Sequence, residues 1–215
     1  MKSDSQTKLD VLAELKWDAE IDESKIGVAV TNGAVTLTGH VPSYRQKMAT
    51  KRATKRVAGV LAVVDKTEVL LESEHHATDE GLAERIANVL KWNVSAPNNI
   101  KAEVRKGIVT LTGEVDWHYQ RANILKNVEH VGGVIDVVNF INIKPRATAT
   151  DVQHSIRSAL QRHADVEAAK IVIAVSNGTV TLSGTVDSMA EMDRIEDAVW
   201  AASGVTRVVD HLRVV

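Results

Sequence analysis

The strongest constraint on the fold of this chain is an internal repeat. Segments 32–41, 106–115 and 177–186 share one pattern: a glycine, then Val-Thr-Leu, a second glycine and a valine. A third glycine follows the second after 20 residues in each copy, and Val comes directly after it. Three glycines in fixed register, found three times in 215 residues, predict three tandem units. The nine structural turn positions are Gly33, Gly39, Gly59, Gly107, Gly113, Gly133, Gly178, Gly184 and Gly204.

The repeat period also sets the domain organisation. The first glycines lie 74 and 71 residues apart, and a unit of this length can build a core of its own. We predict domains at 1–72, 77–145 and 149–215, called units 1, 2 and 3 below. The linkers are expected at 72–77 and 144–149, the second stiffened by Pro145.

Each unit contains a hairpin that can be read in register. In unit 1, apolar residues alternate with others before Asn32-Gly33, a dipeptide that favours a two-residue type I′ turn. Such a turn pairs Val30 with Val35 and places the apolar residues of both strands on one face. The same register predicts Val28–Leu37 in unit 1, Val104–Val109 and Ala102–Leu111 in unit 2, and Val175–Val180 and Ile173–Leu182 in unit 3.

Helical periodicity flanks the hairpin on both sides. A first helix precedes it, with N-caps expected at Thr78 or Asp79 in unit 2 and at Thr150 or Asp151 in unit 3. A second helix is expected over 43–58, 117–131 and 188–202, and the third glycine ends it. Strand three then runs parallel to strand two, and we expect it beside that strand. The prediction is an α+β protein of three tandem αββαβ domains, each with a three-stranded mixed sheet and two helices on one face.

This combination of motifs resembles the BON-domain family. The resemblance is carried by Gly-x-Val-Thr-Leu-Thr/Ser-Gly-x-Val and, 20 residues on, Gly-Val-x-x-Val-Val-Asp/Asn, and it covers nearly the whole chain. It implies a small non-enzymatic αββαβ module found in osmotically inducible and transport-associated bacterial proteins. It also implies phospholipid binding or protein attachment under envelope or osmotic stress.

Composition excludes several classes of function. The chain has no cysteine, so disulfides, thiolate chemistry and cysteine-ligated zinc are ruled out. A net charge of −2 argues against nucleic acid as a partner. The longest apolar run, 57–64, is far shorter than the roughly 20 residues needed to cross a bilayer. The first residues lack the pattern of a signal peptide, so we expect a cytoplasmic protein, or a periplasmic one if a signal has been removed.

No catalytic constellation, metal site or cofactor motif is evident. His75 and His76 with Glu72 and Glu74 could bind a metal weakly, although a solvated linker explains them better. One polar position does recur within apolar surroundings, at Asp65, Asn139 and Asp210. A local hydrogen bond to the backbone is the favoured explanation for that position, and a ligand contact is the alternative.

Charge separates the second helices of units 1 and 3. The helix of unit 1 is basic and contains no acidic residue; its cations are Arg45, Lys47, Lys51, Arg52, Lys55 and Arg56. Such a helix suits anionic lipid headgroups, because each Lys or Arg near that surface contributes about 1 kcal/mol. An ordinary solvated helix face is the competing interpretation. The equivalent helix of unit 3 carries Glu191, Asp193, Glu196 and Asp197 against the single Arg194.

The opposite signs suggest a second class of function. Electrostatic pairing of units 1 and 3, within one chain or head to tail between chains, would make the protein a scaffold or a homo-oligomer. Trp117 and Tyr119 at the start of the second helix of unit 2 suit a protein or a lipid interface. Trp17 and Trp92 align near the end of the first helices, where unit 3 has His163, and we expect them to be partly buried.

The sequence therefore predicts binding rather than catalysis. The leading interpretation is a stress- or envelope-associated bacterial protein that binds anionic phospholipid through the basic helix of unit 1. The alternatives are a protein–protein or self-association scaffold and a binder of small ligands in a cleft between units.

Overall fold

The computed structural model describes residues 2–71, 78–144, 149–162 and 170–215, without the side chains of 149–151. Each unit contains two helices and three strands in the order αββαβ. Unit 1 comprises α1 (Asp4–Trp17), a short 3-10 turn (Glu23–Lys25), β1 (Ile26–Thr31), β2 (Ala34–Val41), α2 (Tyr44–Arg56) and β3 (Ala62–Val69). Unit 2 comprises α3 (Asp79–Trp92), β4 (Lys101–Arg105), β5 (Ile108–Val115), α4 (His118–Glu129) and β6 (Asp136–Ile143). Unit 3 comprises α5 (Ala149–Arg162), β7 (Ile171–Ser176), β8 (Thr179–Val186), α6 (Met189–Trp200) and β9 (Arg207–Val214).

The three sheets have the same topology. Strand orders are β1-β2-β3, β4-β5-β6 and β7-β8-β9, with the first pair antiparallel and the second parallel in each. All six predicted cross-strand pairs are present, including Val30 opposite Val35 and Ile173 opposite Leu182. The α+β fold with strand three beside strand two is thus confirmed.

Backbone angles confirm the hairpin turns. Gly33, Gly107 and Gly178 have φ of 74°, 74° and 76°, and the residues before them also have positive φ. Two consecutive left-handed residues are what a type I′ turn requires. Lys106 adopts φ 52° although lysine rarely does so, which shows that the hairpin register overrides the preference of that residue.

Two aspartates reinforce these turns in a way the sequence analysis missed. The carboxylate of Asp4 accepts from the backbone N–H groups of Asn32 and Gly33 at 2.7 and 2.9 Å. Asp79 makes the same two bonds to Lys106 and Gly107, also at 2.7 and 2.9 Å, and they lower its pKa. An aspartate at the first position of both α1 and α3 was the available signal.

Each unit has its own core beneath the sheet. In unit 1 it draws on both helices and one sheet face: Val11, Leu15, Val28, Val35, Leu37, Ala49 and Ala53. Because residues of one strand alternate between faces, this set places α1 and α2 on the same side of the sheet. Units 2 and 3 repeat the arrangement around Ile86, Leu111 and Ile124, and around Ile156, Leu182 and Ile195.

Most helix boundaries lie within one or two residues of expectation. Thr78 is the N-cap of α3, and its side chain accepts from the N–H of Gly81. The second helices begin after the N-caps Ser43, Trp117 and Ser188. The expectation for α5 is corrected: Thr150 and Asp151 are helical residues within Ala149–Arg162, so neither of them is the N-cap.

The recurring polar position of strand three has a local role. Side-chain oxygens of Asp65, Asn139 and Asp210 accept from the backbone N–H two residues later, at 2.9, 3.0 and 2.7 Å. The favoured explanation, a hydrogen bond to the nearby backbone, is confirmed. His75, His76 and His163 lie outside the described residues, as do the linker at 72–77 and most of that at 144–149.

Candidate functional site

The second helices of the three units meet one another in a cyclic order. Their first residues, Tyr44, His118 and Met189, occupy equivalent positions five residues after the second glycine. Tyr44 of unit 1 packs against the core of unit 2, and Met189 of unit 3 packs against that of unit 1. His118 of unit 2 stacks on Trp200 of unit 3 with ring centroids 4.5 Å apart. Each unit therefore touches the next with the same residue position, which closes a ring of three.

The far ends of these helices complete the ring. Lys55, Glu129 and Trp200 are also equivalent, sixteen residues after the second glycine. Lys55 pairs with Asp193 of unit 3 at 2.6 Å, and Glu129 pairs with Arg52 of unit 1 at 2.9 Å. The ring of Trp200 stacks on His118 of unit 2 and lies beneath the guanidinium group of Arg121 of the same unit. We call these contacts between α2, α4 and α6 the second-helix junction.

The junction contains a cationic side chain held on an aromatic ring. The guanidinium carbon of Arg121 lies 4.6 Å from the ring centroid of Trp200, within the range of a cation–π contact. Burial lowers the pKa of Arg121, and burial followed by the charge of Arg121 lowers the pKa of His118 to about 4. His118 is therefore neutral at pH 7 and stacks as an uncharged ring.

Most of the basic helix is neutralised inside the chain. Arg45 pairs with Glu20, and Arg56 pairs with Glu14 and Asp18 of α1 and its C-cap, both at 2.9 Å. Lys47 donates to the carbonyl of Thr67 at 2.7 Å. Arg52 and Lys55 pair with other units, as described above. Among the described residues only Lys51 of the six has no hydrogen bond or ion pair.

These partners lie in three directions: on α1 and the loop that follows it, on strand β3, and on α4 and α6. The six cations of α2 therefore do not form one uncovered face in this conformation. The expectation that the helix contains no acid to neutralise its charge holds for the helix itself, but neighbouring elements supply the carboxylates. Lipid binding by these residues remains a prediction.

The acidic helix α6 faces this surface from unit 3. Glu196 shares a hydrogen bond with Asp210 of β9 and lies near Asp193 and Lys55. Burial and these carboxylates raise the pKa of Glu196 to about 7, and burial also raises the pKa of Asp197. The predicted pairing of units 1 and 3 occurs within the chain at Lys55 and Asp193.

The remaining residues predicted to bind a partner divide into two groups. Tyr119 is 58% exposed and Trp117 is partly buried as the N-cap of α4. Glu191 is corrected: it is 7% exposed and accepts from the N–H of Asp187 at 2.7 Å. This residue closes the start of α6, so its carboxylate is used within its own unit.

The tryptophans of the first helices overturn an expectation. Trp17 and Trp92 are 85% and 79% exposed, although partial burial was expected. Each comes two residues after a leucine that faces the sheet, Leu15 or Leu90, and two residues turn a helix by about 200°. The indoles therefore point away from the core. An exposed lysine precedes each of them, so Lys16-Trp17 and Lys91-Trp92 form matching tips on units 1 and 2.

Clefts are present between the units. One of about 580 Å³ between units 1 and 3 is lined by Lys2, Asp4, Leu61, Val214 and Val215 among others. Its carboxylate, that of Asp4, already accepts two hydrogen bonds from the hairpin turn. In the described part of the chain there is no cluster of three metal-ligating side chains, and no helix there is long and apolar enough to span a membrane.

Comparison with known proteins identifies all three units. The model of the BON domain matches residues 3–70, 78–145 and 148–215, which is nearly the entire chain. The chain belongs to the BON-domain family. The three BON matches follow the three αββαβ units seen in the structure.

One curated relative is osmotically-inducible protein Y of Escherichia coli strain K12. It is 29% identical over 123 residues, which cover 54% of this chain and 61% of the relative. The chain thus matches about three fifths of the length of that protein. Among solved structures, two of CdsD, a structural protein of the type III secretion system of Chlamydia trachomatis, are similar at 15% and 16% identity. They cover 96% of this chain and 91% and 96% of their own chains, with TM-scores of 0.28 and 0.27.

Proposed function

We propose that this BON protein is a non-catalytic bacterial stress protein that binds anionic phospholipid surfaces through the Lys-Trp tips of units 1 and 2. The observation that carries the proposal is the exposure of Trp17 and Trp92, 85% and 79%, at equivalent places in two separate units. The stress association rests on the BON family and on the similarity to osmotically-inducible protein Y.

The chemistry of the tips fits a membrane surface. An indole is amphipathic and is favoured at the level of lipid headgroups. The adjacent Lys16 and Lys91 are exposed and would interact with anionic headgroups, each contributing about 1 kcal/mol. If both tips reach one surface, binding of the first places the second at a high effective concentration there. Phospholipid surfaces border both the cytoplasm and the periplasm, so the proposal holds in either compartment.

The aromatic tips are more available for binding a membrane than the cations of the basic helix α2. Five of the six cations of α2 have partners within the chain, whereas the tryptophans have most of their surface in solvent. Replacing Lys51, Arg52, Lys55 and Arg56 together by Glu would break ion pairs to units 2 and 3, so it would test the junction as well as lipid binding. A test on the tips avoids that ambiguity.

The experiment is cosedimentation with vesicles of phosphatidylglycerol or phosphatidylcholine. The full chain should bind the anionic vesicles and should bind less tightly as salt rises, because exposed charges are screened over about 8 Å at 0.15 M. Trp17→Ala with Trp92→Ala should reduce binding at least tenfold. The matched control is Tyr119→Ala, which removes another exposed aromatic ring of unit 2 and should bind like the wild type.

The opposite pattern would favour the scaffold alternative. If wild-type protein ignores phosphatidylglycerol vesicles even at low salt, the phospholipid proposal is wrong. A change in mass by light scattering in Tyr119→Ala, with no effect of the tryptophan substitutions, would instead indicate a protein–protein contact on α4.

A further inference from the structure

We propose that α6 of unit 3 occupies, within the chain, a surface of α2 that binds an anionic phospholipid surface once unit 3 moves away. The inference rests on the proposed function, because it takes the same phospholipid as ligand. It assigns α2 a role different from that of the tips: a second contact, available only when the second-helix junction opens between units 1 and 3.

The side chains of α6 that now contact α2 indicate which ligand this surface would bind. What lies on this part of α2 is a carboxylate, Asp193, whose oxygen is 2.6 Å from the ammonium nitrogen of Lys55. Lys55 also lies close enough to Glu196 and Asp197 for its charge to act on both carboxylates, partly offsetting the rise in their pKa values that burial causes. A surface that accepts clustered carboxylates from a neighbouring unit is complementary to other clustered anions, and phospholipid headgroups present them at high density.

The charge balance of the contact limits its strength. Three carboxylates of α6 face a single lysine, and Asp210 stands behind them against Glu196. Burial, and after it the charges of Asp210 and Asp193, raise the pKa of Glu196, so the contact is not fully compensated. The side chain of Asp193 is also 42% exposed, and a pair open to solvent is screened by salt. An anionic surface can therefore compete for Lys55.

Departure of unit 3 would free Lys55 beside two further cations of α2. Lys51 lies one turn before Lys55 on the same face of α2 and has no partner among the described residues. Arg52 is adjacent and its side chain is 49% exposed even while it pairs with Glu129 of unit 2. Together these three form a basic patch on two turns of helix, which is the arrangement expected for binding headgroups.

The first arm of the test compares two neutralising substitutions in the full chain. Asp193→Asn removes the carboxylate that holds Lys55, and Asp187→Asn removes one from the same unit whose side chain is 71% exposed and pairs with Lys170 of unit 3 at 4.0 Å. Both change net charge equally. We expect Asp193→Asn to bind phosphatidylglycerol vesicles about threefold more tightly than Asp187→Asn, the ratio corresponding to a solvent-exposed ion pair. Equal binding by the two variants would overturn the inference.

The second arm measures the separation of units 1 and 3. Since the chain has no cysteine, Glu68→Cys on β3 and Arg213→Cys on β9 provide two unique label positions on exposed strand residues. The distance between the labels should increase on phosphatidylglycerol vesicles and remain unchanged on phosphatidylcholine vesicles. A protein that binds the anionic vesicles with an unchanged label distance would refute the opening while leaving the proposed function intact. Loss of binding in the tryptophan variants tests that function separately.

Discussion

The two helices of each unit share a sheet and a core, yet they have opposite surroundings. The second helices α2, α4 and α6 meet at the junction, where their charged residues and Trp200 find partners in other units. The first helices α1 and α3 end in solvent and display Trp17 and Trp92. The highly charged helix α2 thus makes internal contacts, whereas the two indoles of the first helices are exposed. Composition of a helix alone does not show which of its surfaces is available for binding.

The comparison predicts the largest loss of stability at Trp200. Its ring packs against the cores of units 2 and 3, stacks on His118 and accepts Arg121. Trp200→Ala should lower the free energy of unfolding by about 3 kcal/mol, through lost burial and a cavity at the junction. Urea unfolding followed by circular dichroism measures it. A loss below about 0.5 kcal/mol, as at an ordinary surface site, would show that the junction contributes little.

A substitution in the hairpin turn of unit 3, which involves neither helix, should cause a loss of stability of intermediate size. Gly178 has φ 76°, and a Cβ there would lie 2.8 Å from the hydroxyl oxygen of Thr206 and 3.0 Å from the carbonyl of Gly204. Gly178→Val should therefore destabilise unit 3 by about 1–3 kcal/mol, because a β-branched residue is strained at positive φ. Val172→Ala on the adjacent β7, whose side chain is 63% exposed, is the control. An unchanged melting transition in Gly178→Val would contradict the importance of this turn.

The acidic residues of α6 should make the free energy of unfolding depend on pH, with a smaller effect than the substitutions above. The pKa of Glu196 is raised from 4.5 to about 7, so the native chain retains a proton that the unfolded chain releases. Stability should therefore fall as pH rises from about 4.5 to 7, by about 1 kcal/mol after discounting for solvent screening. Glu196→Gln should flatten this dependence, whereas Glu103→Gln on β4 should not. A parallel pH profile for wild type and Glu196→Gln would mean that the carboxyl pair does not hold the proton.

The smallest effect on stability is expected at the tips. Trp17→Ala and Trp92→Ala remove side chains that are mostly in solvent, so the free energy of unfolding should change by less than about 0.5 kcal/mol. The contrast with Trp200→Ala is the sharpest form of the comparison, since all three substitutions remove the same side chain from the end of a helix. Destabilisation by Trp17→Ala as large as that by Trp200→Ala would show that the tip packs against the rest of the protein.

Local chemistry made the fold predictable. The glycine register gave three units, and alternation around Asn32-Gly33 gave strand register, because a pleated strand with one buried face tolerates no shift. The recurring position of Asp65, Asn139 and Asp210 was also interpretable, since its hydrogen bond spans two residues. Interactions this short depend only on residues that are close in the chain.

The surroundings of the helices were decided by tertiary structure. The sequence shows that α2 is basic and α6 acidic, but only the folded chain brings Asp193 to Lys55 across 138 residues. In the same way, the sequence places Trp17 on the helix face opposite Leu15. Trp17 is exposed because no described residue of another unit covers the end of α1, and only the tertiary structure shows that. Contacts between units arise from the packing of whole domains. The residues that make these contacts show no local periodicity from which a partner could be predicted. The sequence therefore determined each unit, and the ring of three determined which surfaces remain free.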